Sequence, residues 1–194
     1  MELQVLLDSL VLYEPALFQG RYEEIYNDIK DKVRGAPLVY GDGETKRKSC
    51  IFGTNLYADS AESALFSYGH LPHYSWPENV FKVKEELESR YETKFEFCLA
   101  HLYPNGDATI GKHRDTEAMG SLVVSVSFGA TRRMNFFYDS LATGARDGKY
   151  IRQYILQDGD VLVMNQGTQT HFKHSIPQQK CDDPRINLTF RVNL

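Results

Sequence analysis

The amino-acid sequence predicts a mainly β fold with α (an α+β class), specifically a double-stranded β-helix or jelly roll backed by N-terminal helices. Three observations carry that expectation. Helical spacing of apolar residues is confined to the first half, in Tyr13 to Val33 and Ser75 to Tyr91. From Phe95 onward the period changes to two, and the apolar runs become short, β-rich and separated by Gly or Asp. No repeat, low-complexity tract or linker interrupts the chain. Two helices followed by many short strands suit two sheets closed on each other with helices on one side. At 194 residues the chain is long enough to bury a core as one domain, 1–194. Within it we expect helical support at 1–36, loops and hairpins at 37–77 and a jelly-roll core at 95–194.

Taken in order, Phe18, Tyr22, Ile25, Tyr26 and Ile29 recur at three- and four-residue spacing, which predicts a first helix over Tyr13 to Val33. The segment 37–77 is rich in Gly, Ser, Asp and aromatic residues without sustained periodicity, the composition of short strands and binding loops. A second helix follows, with Ser75 as its cap, Pro77 in its first turn and Val80, Phe81, Val83, Leu87 and Tyr91 along it. Phe95, Phe97, Leu99, His101 and Tyr103 then share one face of a strand that ends at the turn Pro104-Asn105-Gly106-Asp107. Further strands are expected at Ser121 to Phe128, Arg133 to Tyr138, Tyr150 to Leu156, Val161 to Met164 and Ile186 to Leu194.

Composition narrows the function. With 42% hydrophobic and 25% charged residues the chain is neither disordered nor a membrane protein, and no apolar run reaches a membrane span. The start Met1-Glu2-Leu3-Gln4 lacks the features of a signal peptide, so an intracellular protein is expected, nuclear or cytoplasmic, with no membrane partner. Cys50, Cys98 and Cys181 are odd in number and form no CxxC pair, against both a disulfide framework and a thiolate zinc site. A net charge of −4 argues against indiscriminate attraction to nucleic acid. Such contact would have to come from local patches, of which Lys46-Arg47-Lys48 and Arg132-Arg133 are the candidates.

Two stretches carry chemistry. In His113-Arg114-Asp115 an imidazole and a carboxylate stand two positions apart, on one side of an extended backbone. A second imidazole comes from Thr170-His171-Phe172-Lys173-His174-Ser175-Ile176-Pro177, where spacing does not choose between His171 and His174. Two histidines and one carboxylate are the ligand set of a non-haem Fe(II) oxygenase. On the last strand Ile186, Leu188, Phe190, Val192 and Leu194 take one face, while Arg185, Asn187, Thr189 and Arg191 take the other. Two arginines facing inward need anionic partners. A dicarboxylate such as 2-oxoglutarate offers one at each end, since a guanidinium binds carboxylate through paired hydrogen bonds. Six residues of strand span roughly 20 Å, so both side chains must lean inward, or one must pair with a protein carboxylate instead.

His113-Arg114-Asp115-Thr116-Glu117, Ser125-Val126-Ser127-Phe128-Gly129-Ala130, Thr168 to Pro177 and Pro184 to Arg191 together resemble the AlkB family of Fe(II)/2-oxoglutarate dioxygenases, in particular its eukaryotic-type DNA repair demethylases. The resemblance is dense from about Phe97 to Arg191 and thinner back to about Val39. It implies His113, Asp115 and His174 as the Fe(II) ligands, and so the catalytic centre, against His171. It also implies Tyr103, Arg185, Arg191, Asn187 and Thr189 as the 2-oxoglutarate site. The family's Asn-x-Tyr is replaced by His101-Leu102-Tyr103, so His101 stands where an asparagine touches the cosubstrate.

The same resemblance makes 37–77 a nucleotide-recognition region. Phe66 and Tyr68 would hold an extruded base, Glu117 would meet its edge, Tyr40 would fill the gap in the duplex from a hairpin tip, and Arg47 and Lys48 would grip phosphate. Lys46 and Thr54 replace a proline and an aspartate of the family there. The activity implied is oxidative demethylation of N-alkylated DNA bases of the 1-methyladenine and 3-methylcytosine type by a monomer, using O2, converting 2-oxoglutarate to succinate and releasing formaldehyde. A same-fold dioxygenase acting on RNA, protein or a small molecule is the alternative, and a non-catalytic binding module is a third reading.

Overall fold

The larger of two sheets takes its strands from across the chain. A computed structural model describes residues 2–37, 44–54, 71–146 and 148–192. Its elements are α1 (Leu3–Leu10), β1 (Val11–Glu14), α2 (Tyr22–Ile29), β2 (Arg34–Pro37), β3 (Glu44–Gly53), β4 (His73–Tyr74), α3 (Glu78–Tyr91), β5 (Phe97–Tyr103), β6 (Ile110–His113), β7 (Val123–Gly129), β8 (Arg132–Tyr138), β9 (Lys149–Leu156), β10 (Val161–Met164), α4 (Thr168–His171), β11 (Phe172–Ile176) and β12 (Arg185–Arg191). Among the described residues the larger sheet runs β1-β10-β7-β12-β5-β3-β2 with β4 beside β3, and the smaller runs β6-β11-β8-β9. None of these helices is long and apolar enough to cross a membrane.

Two apolar cores sit on the two faces of the larger sheet. On the outer face Ile25 and Ile29 of α2 and Val80, Val83 and Leu87 of α3 pack on Cys98, Ala100 and Leu102 of β5 and Ile186, Leu188 and Phe190 of β12. Between the sheets, Tyr103, Val123, Leu162 and Met164 meet Met134, Phe136, Tyr154, Phe172 and Ile176. Strand β12 is central, pairing with β5 on one side (Arg185↔Tyr103, Arg191↔Phe97) and β7 on the other (Arg185↔Gly129, Arg191↔Val123). Its apolar face therefore lies under the helices and its polar face between the sheets, with every residue from Arg185 to Arg191 buried.

The expected helix from Tyr13 to Val33 is shorter than its spacing suggests. Val11–Glu14 is instead an edge strand paired with β10 (Val11↔Met164, Glu14↔Val161), so 1–36 contributes to the sheet as well as to the helical support. Phe18 keeps the helical spacing because it enters the same core as Ile25 and Ile29, but it does so from a turn. That turn is closed by Phe18 N–H donating to Gly159 O (3.0 Å) and by the buried Asp160 carboxylate, which accepts from Ala16 N (2.8 Å) and Tyr13 OH (2.6 Å). Gly159, at φ +80°, has no room for a side chain, since a Cβ would stand 2.1 Å from Gln19 N.

Ser75 does not cap α3. Asp28 of α2 does so from a neighbouring element, accepting from Asn79 N (2.8 Å) and Val80 N (3.2 Å). The apolar periodicity also missed α1, which buries Leu7 between the sheets, and the short strands β6 and β11.

Candidate active site

Strands β6 and β11 bring the proposed ligands together. Their antiparallel register sets His174 opposite His113, with ring centroids 4.3 Å apart. Asp115 follows two residues after the end of β6, immediately before the 3-10 turn Thr116–Ala118. Its Oδ1 is 3.7 Å from His113 Nε2 and its Oδ2 is 3.9 Å from His174 Nε2. One potential ligand atom from each residue lies within 4.8 Å of the others, a spacing suited to a shared ion. His171, by contrast, closes α4 with its Nδ1 2.9 Å from Ser140 Oγ.

Neighbouring groups hold the His113 ring and the segment that carries Asp115. His113 Nδ1 donates to Gly111 O (2.8 Å), which leaves the Nε2 lone pair facing Asp115. Asp115 N–H donates to Oε1 of the buried Gln169 (2.9 Å). Arg114, between the two ligands, ties this segment to the start of β11 by donating to Gln169 O (2.8 Å), Asp139 O (2.8 Å) and the Asp139 carboxylate.

Electrostatics set the protonation states. Burial, with His113 beside it, pushes the His174 pKa down to about 4 against the pull of Asp115. Burial likewise lowers His113. For Asp115 burial acts upward, but Arg191, His174 and His113 outweigh it and hold the carboxyl below its ordinary value. Two neutral imidazoles beside an ionised carboxylate are the donor set a divalent iron needs.

The polar face of β12 forms the adjoining wall of a cavity of about 270 Å³. Its two arginines differ. Arg191 Nη2 is 2.9 Å from Asp115 Oδ1, and its Nη1 pairs with Glu117, so this guanidinium has protein carboxylates for partners. Arg185, 1% exposed, lies over the Tyr103 ring (5.1 Å to its centroid) and donates from Nη2 to Ser127 Oγ (2.9 Å). Among the described residues its Nε and Nη1 are buried without a hydrogen-bond partner, and burial pushes its pKa down to about 10 against the upward pull of Tyr103. A buried cation with two unengaged nitrogens and no carboxylate beside it among the described residues fits an anionic ligand. Asn187 Nδ2 donates to Ser125 Oγ (2.8 Å) and Val126 O (3.0 Å), and Thr189 Oγ1 to Asn187 Oδ1 (3.3 Å). His101, also buried, completes the wall with its Nδ1 2.7 Å from Ser49 Oγ.

Of the expected nucleic-acid residues, Arg47, Lys48 and Glu117 lie within the described residues. Arg47 lines the cavity, whereas Lys48 is exposed, because successive residues of β3 point to opposite faces. Lys46 bonds Asp107 (3.0 Å). Glu117 also lines the cavity, held by Arg191 and 3.3 Å from Thr116 Oγ1. Tyr40, Phe66 and Tyr68 lie outside the described residues. Arg132 is not a surface patch with Arg133: it is 1% exposed and donates to the carbonyls of Asn105 (3.1 Å), Ala108 (2.8 Å) and Pro177 (2.9 Å). Gln169 and Ser127 join the site from blocks that carried the family resemblance without being singled out there, and Ser49 had no signal beyond the alternation that places it on the same face as Arg47.

Known proteins share this arrangement of sequence. The profile of the 2OG-Fe(II) oxygenase superfamily matches residues 60–191. DNA oxidative demethylase ALKBH2 of Bos taurus is 36% identical over 141 residues, 70% of this chain and 50% of that protein. Alpha-ketoglutarate-dependent dioxygenase alkB homolog 3 of Bos taurus is 31% identical over 141 residues, 64% of this chain and 49% of that protein. The chain thus spans about half the length of these curated relatives. The solved structure of OsALKBH1 has the same fold, at a TM-score of 0.63 and 19% identity over 94% of this chain and 97% of that one. The family uses Fe(II), 2-oxoglutarate and O2, which the His113, Asp115 and His174 cluster accommodates. From the profile match, these relatives and the shared fold, the chain belongs to the 2OG-Fe(II) oxygenase superfamily, within its AlkB family.

Proposed function

We propose that this chain removes N-linked alkyl groups from DNA bases, with 1-methyladenine and 3-methylcytosine as the lesion class, while converting 2-oxoglutarate to succinate. The observation that carries the reading is one cavity in which three metal-ligating side chains adjoin a buried guanidinium open to an anion. The polymer is inferred from the likeness to a protein named a DNA oxidative demethylase.

His113, His174 and Asp115 would hold the iron, and Arg185 the distal carboxylate of 2-oxoglutarate. Bound together with O2, iron and 2-oxoglutarate would supply an oxidation that places one oxygen atom in succinate, with loss of the 2-oxoglutarate C1 carboxylate as carbon dioxide, and one on the N-methyl carbon, which then leaves as formaldehyde. The chain's part is positional and electrostatic. Gly111 O holds the His113 ring, Gln169 holds the Asp115 backbone, and Arg191 keeps the Asp115 carboxylate ionised. Leu99, Ile110, Met134 and Ile176 give the same cavity an apolar lining, which disfavours water beside the reacting groups.

Iron-loaded protein incubated with 2-oxoglutarate and methylated oligonucleotides should release formaldehyde and lose base methyl groups. Absence of both with single-stranded DNA, duplex DNA and RNA would overturn the reading, and the relative rates on the three identify the preferred polymer.

A further inference from the structure

The alternation of β3 turns Arg47 and Ser49 toward the cavity, and its pairing with β5 sets Ser49 opposite His101. On the far side of β5, His101 faces Asn187 of β12, so Ser49, His101 and Asn187 form one row across the larger sheet. This row crosses the wall one step along from Tyr103 and Arg185.

Hydrogen-bond accounting decides what the row can offer. The Asn187 amide N–H groups are engaged by Ser125 Oγ and Val126 O. Ser49 is 2% exposed and has the His101 ring as its one side-chain partner among the described residues. Were Ser49 to accept from a protonated Nδ1, its own O–H would be buried without an acceptor, the more expensive arrangement. With Ser49 donating, Nδ1 is the acceptor and the ring proton sits on Nε2, which has no protein partner among the described residues. Burial, followed by the charges of Arg47 and Arg191, holds the His101 pKa well below 6.5, so the ring adds a donor without adding a positive charge.

We propose that Ser49 is a positioning residue that fixes the His101 tautomer, making His101 Nε2–H a neutral donor to a carboxylate of 2-oxoglutarate. This rests on the reading that the cavity takes 2-oxoglutarate. It assigns the pair a selective role: with Nδ1 occupied the ring offers only a donor, which favours a carboxylate oxygen over a group that must itself donate.

The test uses the full chain loaded with Zn(II), which binds without turning over. Calorimetric titration gives the Kd for 2-oxoglutarate, and 15N NMR of the histidine rings identifies the tautomer directly. Ser49→Ala should weaken 2-oxoglutarate by about 5-fold, the effect of losing one hydrogen bond's bias, and Ser49→Thr, which keeps the hydroxyl, should bind within about 2-fold of wild type by the same argument. In a His101→Phe background, Ser49→Ala should have no further effect, because Ser49 acts through the ring. Equal weakening in both backgrounds would reduce Ser49 to a structural role and overturn the proposal. So would an Nδ1–H tautomer in the wild-type protein, a result that needs no variant to fold. Wild-type protein that binds no 2-oxoglutarate would instead defeat the functional reading on which the proposal rests.

Discussion

Replacing Arg185 with Met separates the demands of folding from those of binding. A guanidinium whose pKa falls from 12.5 to about 10 on burial holds its charge at a penalty of about 3 kcal/mol relative to water. Against this, the Ser127 hydrogen bond contributes about 1 kcal/mol and the contact with the Tyr103 ring about 1–2 kcal/mol. Met fills much of the same space without charge. The ligand-free Arg185→Met variant should therefore fall within about 1 kcal/mol of wild type, a shift of roughly 2–4 °C or less in Tm, where truncating a well-packed buried side chain typically costs about 2–5 kcal/mol. Binding should respond in the opposite sense. Loss of a charge-assisted pair with a carboxylate weakens 2-oxoglutarate by about two orders of magnitude. The assay is thermal unfolding of Zn(II)-loaded protein with increasing 2-oxoglutarate. At about 100 times its Kd the ligand adds about 2.7 kcal/mol to the wild type, and at that concentration the variant should barely shift. A variant that melts several degrees lower without ligand yet keeps the full ligand-induced shift would refute the assignment of Arg185 as an open anion site.

Two further outcomes follow from neighbouring contacts. Gln169→Leu removes the acceptor of the Asp115 N–H and should lower metal affinity by about 10- to 100-fold, read by Zn(II) titration, with the fold retained because Arg114 still bonds the Gln169 and Thr170 carbonyls. Glu88, 6% exposed, is pulled upward by burial but held below its ordinary pKa of 4.5 by Lys84, the Phe95 N–H and Lys94. A depressed folded pKa contributes stability that is fully present above 4.5 and lost as pH falls through the folded value. Glu88→Gln should accordingly be less stable than wild type by about 1–3 kcal/mol at pH 7, with the gap closing in acid denaturation profiles; a gap independent of pH would contradict the ionic account.

What could be read from the sequence, and what could not, follows the range of the interactions. The period-two pattern of Phe97 to Tyr103 and Arg185 to Arg191 reports side-chain alternation, a local property, and both strands form there. The first helix fails for the complementary reason: Phe18, Ile25 and Ile29 share a core, but Pro15, Gly20 and the pairing of Val11–Glu14 with β10 decide how they reach it. The cap of α3 is likewise invisible locally, because its carboxylate, Asp28, lies on another helix.

Arg185 and Arg191 carry this furthest. On the strand pattern they are equivalent, two cations on one face, and only the course of the chain distinguishes them. The segment after β6 carries Asp115 and Glu117 to Arg191, whereas β7 offers Arg185 nothing more acidic than the Ser127 hydroxyl. One guanidinium is thereby neutralised beside the metal ligands while the other stays buried and open. That asymmetry gives the site a metal end and a cationic end, so a ligand carrying an unlike group at each end would enter it in one orientation.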